Sequence, residues 1–157
     1  MTIKLLAIGK TDQKELHALI SGYEKRLGHY VKFELQLLPD IRKAKNMTNA
    51  RQVALEAEQF LKVLKPGDVL YLLDERGKLL TSEGFANFLQ KHMNSGIKQF
   101  VLAIGGPYGF GEDIYKRANG MISLSKMTFS HQMVRLFIVE QLYRAFTILG
   151  NEPYHHQ

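Results

Sequence analysis

The 157-residue chain contains no cysteine. That excludes disulfides, thiolate zinc sites, iron–sulfur clusters and every mechanism with a thiolate nucleophile. No stretch approaches the ~20 uncharged apolar residues needed to cross a bilayer. The apolar opening run, residues 3–8, is short and interrupted by Lys4, which is not the pattern of a secretion signal. The protein is therefore expected to stay in the cytoplasm, with no membrane partner. Zinc-ligand spacing, a Ser-His-Asp signature and a carboxylate pair set for glycoside cleavage are also missing. Metallohydrolase and glycosidase readings fall away, and no metal is expected. Acidic residues are in short supply: 15 Asp and Glu face 21 Lys and Arg, a net charge of +6. The imbalance is +4 over residues 1–50, -1 over 51–115 and +3 over 116–157. Basic ends around a neutral middle suit a polyanionic partner, with nucleic acid ahead of a membrane surface because no basic amphipathic helix stands out.

What is present reads as one α/β domain over residues 1–157. A chain of this length buries ~70% of its unfolded surface and needs no covalent staple. Residues 3–8 read as a strand ending at Gly9, and Asp12 is a candidate cap for a helix with Leu16, Leu19, Ile20, Tyr23 and Leu27 on one face. Val31, Phe33, Leu35 and Leu37 alternate with polar residues up to Pro39, the pattern of a strand with one wet face. Residues 40–46 read as a basic surface loop. Thr48 or Asn49 opens a helix with the stripe Val53, Ala57, Phe60, Leu61 and Leu64. Residues 69–73 and 100–104 are short apolar runs of the kind buried on both faces. Between them, Thr81 or Ser82 opens a helix bearing Phe85, Phe88, Leu89, His92 and Met93. A short helix over 112–118, a minimal strand over 122–124 and a helix over 130–149 complete the series. Strands alternating with crossover helices predict a mostly parallel sheet covered on both faces. The last helix is apolar nearly all round, so it must be buried on more than one side, and a homodimer is expected.

Two loops carry the chemistry. Gly105-Gly106-Pro107-Tyr108-Gly109-Phe110-Gly111 follows a buried strand, where ligands of parallel sheets collect. It matches neither the dinucleotide fingerprint nor a P-loop, and a tight turn with no ligand would account for its glycines equally well. The stretch Ser123 to His131 reads either as helix capping or as a pocket wall whose backbone reads an adenine or a carboxylate, with Leu124 and Met127 packed on it. His131 and Arg135 share a helical face. The tail holds Tyr154, His155 and His156 after Pro153.

These segments together resemble one family. The motifs are Leu73-Asp74…Gly77-Lys78, Ser82-Glu83-Gly84, and Ile104 to Gly109. Ser123 to Arg135, Glu140 to Phe146, and the closing Pro153-Tyr154-His155 follow. In order and spacing they are similar to the ribosomal RNA large subunit methyltransferase H family, the pseudouridine N3 methyltransferases of the SPOUT superfamily. The resemblance implies a C-terminal trefoil knot and a homodimer whose site borrows the partner's tail. It implies an S-adenosyl-L-methionine pocket formed by Leu73, Gly105, Leu124, Ser125, Lys126, Met127, Thr128 and Phe129. The implied substrate is a pseudouridine of 23S rRNA within the assembled ribosome. The family's tail carries a basic residue after Pro-Tyr-His; here His156 and Gln157 stand there, which weakens a fixed cationic contact.

Methylation at pyrimidine C5 commonly proceeds through a covalent thiolate, which this chain lacks; a nitrogen or ribose oxygen acceptor remains. His155 or His131 is the candidate proton acceptor or orienter, and Tyr154 a contact to the base. Arg135 and Arg144 are candidate phosphate or structural cations, Arg144 equally suited to pairing with Glu140. Two rival expectations are a non-catalytic ribosome-binding or assembly factor and a small-molecule enzyme taking a nucleotide in the same pocket.

Overall fold

The computed structural model describes residues 1–42 and 45–156. Five strands form one wholly parallel sheet in the order β2-β1-β4-β3-β5. They are β1 (Thr2–Ile8), β2 (Lys32–Leu38), β3 (Val69–Leu79), β4 (Gln99–Ile104) and β5 (Gly120–Ser123). The helices are α1 (Lys14–Leu27), α2 (Asn49–Val63), α3 (Ser82–Asn94), α4 (Glu112–Arg117) and α5 (Met133–Leu149).

Each central strand feeds two cores because its side chains alternate between faces. Ile3, Leu5 and Ala7 of β1 pack with Leu16 and Ile20 of α1, Phe85 and Leu89 of α3, and Ile138, Leu142 and Ala145 of α5. Leu6 and Ile8 point the other way, toward Ala57 and Phe60 of α2 and Ile114 of α4. Both layers expected of a parallel sheet are therefore filled, α1, α3 and α5 on one face and α2 and α4 on the other. Thr48 and Thr81 cap their helices as expected, their side chains accepting the N–H groups of Arg51 and Gly84.

Several local expectations are corrected. Asp12 does not cap α1: the cap position falls on Gln13, with no side-chain bond. Gln132 occupies that region instead, accepting from the Asp12 N–H and donating to the Lys10 carbonyl, so the turn before α1 is braced by the segment before α5. Leu19 is 55% exposed and Leu61 and Leu37 are also exposed, each at the solvent margin of its apolar stripe, while Leu38 takes the buried place at the end of β2. Of the basic stretch 40–46, Asp40 to Arg42 and Lys45 to Asn46 carry no helix or strand; Lys43 and Ala44 lie outside the described residues, as does Gln157.

The largest departure is β3. It does not stop at Leu73 but runs to Leu79, with a register break between Leu73 and Lys78 against β5. Leu73 and Lys78 both align with Ile122, so residues 74–77 bulge from the ladder. Gly77 lies so close to β5 that a Cβ there would come within 2.5 Å of the Ile122 carbonyl carbon. β5 correspondingly begins at Gly120, where a side chain would strike the Tyr71 ring.

Candidate active site

The carboxyl ends of β3, β4 and β5 open into a cavity of about 770 Å³, within the roughly 300–1,000 Å³ span of small-molecule sites. Leu73, Ile104 and Ile122, neighbours across three strands, contribute apolar side chains to its lining. One wall is the loop after β4. There the Gly109 N–H donates to the Gly106 carbonyl at 3.1 Å, closing a turn over Pro107 and Tyr108. Gly109 holds φ +80°, a conformation a side chain would strain. Gly105 sits against the Gly109 carbonyl, at 3.0 Å from where its own Cβ would be, which leaves its backbone bare toward the cavity.

The opposite wall is the segment between β5 and α5. The Ser123 hydroxyl donates to the Ser125 carbonyl at 2.8 Å, and the Ser125 hydroxyl accepts from the Met127 N–H at 2.9 Å. The Ser130 hydroxyl accepts from the Met133 N–H, so its capping action appears although α5 itself starts at Met133. These bonds fix the backbone while Leu124, Thr128 and Phe129 line the cavity. Phe129 is itself braced by Phe137, ring centroids 4.8 Å apart. Met127, 75% exposed, stands at the mouth.

The β3 bulge supplies a rim that sequence reasoning did not assign. Asp74 Oδ1 accepts from the Arg76 backbone N–H and Nε, and Asp74 Oδ2 accepts from the Tyr115 hydroxyl. Burial alone would raise the Asp74 carboxyl, but these hydrogen bonds hold it below the ordinary range. The Arg76 guanidinium also lies over the Tyr115 ring at 4.8 Å. The signal for this cluster was the two-residue Asp–Arg spacing; Tyr115, 41 residues on, left none.

Of the residues offered from sequence, Leu73, Gly105, Leu124, Ser125, Met127, Thr128, Phe129 and His131 share this lining. Lys126, exposed, is not part of it. Arg135 is elsewhere: it is 1% exposed, and its Nη1 and Nη2 donate to the carbonyls of Gly9 and Ile8 at 2.9 and 2.6 Å. Its guanidinium ties the end of β1 to α5 and presents no face to a phosphate.

Tyr154 and His155 are also outside the lining, on the layer of α1, α3 and α5. His155 Nε2 lies 2.6 Å from Glu83 Oε1, and its Nδ1 lies 3.3 Å from Arg144 Nη1. Arg144 pairs with Glu140 at 2.6 Å, as the four-residue spacing suggested. The Tyr154 hydroxyl donates to Glu140 Oε1 at 3.1 Å and meets the Tyr23 hydroxyl at 3.3 Å. Burial, with Tyr23 and Glu140 alongside, pushes the Tyr154 phenol up. On the far side of the glycine loop lies Glu56, 2% exposed. A side chain on Gly106 would overlap its carboxyl group, and Gln52 donates to its Oε1. Burial raises this carboxyl despite that bond.

The lining fits a nucleoside carrying an amino-acid tail better than a nucleotide. Apolar faces and bare backbone are abundant, whereas Arg76, the one Lys or Arg among the described lining residues, is already paired with Asp74. A family model described as "Predicted SPOUT methyltransferase" matches residues 1–155. The chain belongs to this SPOUT methyltransferase family, for which S-adenosyl-L-methionine is the cofactor. Among its relatives, proteins named ribosomal RNA large subunit methyltransferase H are 59% identical in Christiangramia forsetii and 60% in Flavobacterium johnsoniae. Each alignment spans all of both chains. A solved probable methyltransferase from Bordetella pertussis has the same fold at 10% identity, with a TM-score of 0.56 over 92% of this chain and 95% of its own.

Among the described residues no helix is long and apolar enough to cross a membrane, and no group of three His, Asp or Glu is placed to hold a metal ion.

Proposed function

We propose that this chain, one SPOUT domain over residues 1–157, is an S-adenosyl-L-methionine-dependent methyltransferase of large-subunit ribosomal RNA. It modifies N3 of a pseudouridine in the assembled ribosome and acts in the cytoplasm as a homodimer. The observation that carries the reading is the cavity between the β4 glycine loop and the β5–α5 segment, lined by seven of the eight residues matched to the family's cofactor site. The full-length relatives named for that reaction class support the RNA substrate. The order β4-β3-β5, with both loops converging on Leu73, is consistent with the family's knot.

Bound in this cavity, the cofactor supplies an electrophilic methyl group on a sulfonium. Leu73, Ile104, Leu124 and Phe129 enclose apolar surface, and the bare backbone at Gly105 offers polar edges at close range. Methyl transfer needs an in-line approach, so these rigid walls act chiefly by positioning. The N3 nucleophile must lose a proton. His131 borders the same cavity, whereas His155 and Tyr154 are held away from it, an arrangement that suits delivery of the tail to a partner's cavity. The apolar helix α5, with Leu136, Phe137 and Tyr143 only half-buried, supports such pairing.

The test is mass mapping of 23S rRNA from cells lacking the protein. One pseudouridine is expected to lose a methyl group; an unchanged map overturns the reading. Calorimetry with S-adenosyl-L-methionine separates a catalyst from a pure ribosome-binding factor, which would give no heat.

A further inference from the structure

The motif Ser82-Glu83-Gly84 has no part in the cofactor cavity, yet it touches the tail. Glu83, in the first turn of α3, meets His155 across 72 residues of sequence at 2.6 Å. Its carboxyl is held below the ordinary range by its own backbone N–H, by His155 and by Thr81, so it is an anion at neutral pH. On the other side of the ring, Arg144 Nη1 can only donate, which makes Nδ1 the acceptor and assigns the ring proton to Nε2. Arg144 keeps shorter bonds to Glu140, at 2.6 and 3.0 Å, than the 3.3 Å it reaches to His155.

We propose that Glu83 is the positioning residue of the proton-accepting histidine: it holds Nε2–H of His155, leaves Nδ1 as the accepting atom, and stabilises the imidazolium that forms. The inference rests on the proposed function with a tail delivered to a partner's cavity, and takes His155, of the two candidate histidines, as the group that receives the N3 proton. In that step Arg144 gives up its 3.3 Å bond to Nδ1 and stays on Glu140, the N3–H bond breaks, and the proton passes to the freed Nδ1. The nitrogen pair forms the new N–C bond, and the C–S pair leaves with sulfur. The imidazolium then carries Nε2–H toward Glu83 and returns the Nδ1 proton to water. A carboxylate behind a histidine does this work in hydrolytic triads, where it orients the ring and offsets the charge without itself being protonated. Arg144 opposes the charged ring and Glu140 draws Arg144 away from it; Tyr154 and His156 flank His155 along the tail, and Tyr23 of α1 reaches the cluster through Tyr154.

The experiment uses the full chain with ribosomes from cells lacking it, in single-turnover methyl transfer at saturating cofactor across pH. Glu83→Gln keeps the helix and the shape. It is expected to slow transfer about 10²-fold and to move the acid limb of the rate profile to lower pH with a lower plateau, cofactor affinity unchanged. In the ligand-free protein, a downfield Nε2–H proton resonance of His155 should be visible by NMR and vanish in Glu83→Ala. A Glu83→Gln rate and profile matching the parent, or an Nε2–H resonance surviving in Glu83→Ala, overturns the assignment while leaving the proposed function standing. Full activity in His155→Gln removes the underlying role of His155, and the assignment with it.

Discussion

The cavity and the tail face solve opposite problems. The cavity is built mostly from backbone and apolar groups, and of the three charged residues in its lining, Asp74, Glu75 and Arg76, the first and last pair at the rim. The tail face is dense in ionisable groups: Glu83, Glu140, Glu152, Arg144, His155, Tyr23, Tyr30 and Tyr154, linked in chains of hydrogen bonds. There Glu152 accepts from Tyr30 and pushes that phenol up to about 12. A wall mostly of backbone and hydrocarbon recognises a ligand by shape and, His131 aside, offers little to move protons. A network of titrating groups can move protons and is poor at enclosing an apolar ligand. Under the proposed function the reaction needs both kinds of surface, so the two would have to meet.

The comparison can be broken most forcefully at the cavity. Gly77→Ala places a methyl into the Ile122 backbone; overpacking against a main chain that cannot yield costs about 3 kcal/mol. Thermal unfolding should fall by roughly 6–12 °C, and cofactor binding should be lost as the bulge shifts. Phe129→Ala removes a wall without touching the sheet. Its calorimetric Kd for S-adenosyl-L-methionine should rise about tenfold, the equivalent of ~1.4 kcal/mol of lost apolar contact, and the Phe137 ring it packs against should become more exposed.

A smaller effect sharpens the electrostatic side. Glu56 has a folded-state pKa raised by burial, so the stability tied to its neutral form is fully present below the unfolded value near 4.5 and is lost as pH rises through the higher folded value. Glu56→Gln should therefore flatten the decline in melting temperature toward alkaline pH. It should be more stable than the parent at pH 8 while matching it at pH 4; a variant less stable at both pH values would show that the charge is tolerated. The smallest effect belongs to the exposed pair Lys116–Glu112 on α4, at 2.7 Å. Glu112→Ala should leave melting temperature and cofactor affinity unmoved, since solvent screens such pairs.

Much of this architecture was legible because local signals agreed with the tertiary result. The apolar runs of β1 and β4, the Thr48 and Thr81 caps, and the glycine loop after Ile104 each state their structure within a few residues. β3 beyond Leu73 was not legible: Asp74-Glu75-Arg76-Gly77-Lys78 reads as a polar turn, and only the backbone of β5 turns part of it into strand. Arg135 left its phosphate and structural readings undecided for a related reason. An arginine on a helix is ordinarily solvated, and nothing nearby in sequence announces that two strand-end carbonyls await it. The ring of contacts around His155 was hidden by distance along the chain, since Glu83 offers only an acidic residue at a helix start.

The bond from Arg135 to the Ile8 carbonyl joins positions 127 residues apart. During synthesis, β1, an interior strand, lacks this clasp until the start of α5 has left the exit tunnel. Nascent β1 and β2 then pass through a stage in which hydrophobic strands are exposed and their final clasp does not yet exist, a stage at which chaperone capture competes with assembly. Such long-range closure is expected to slow folding.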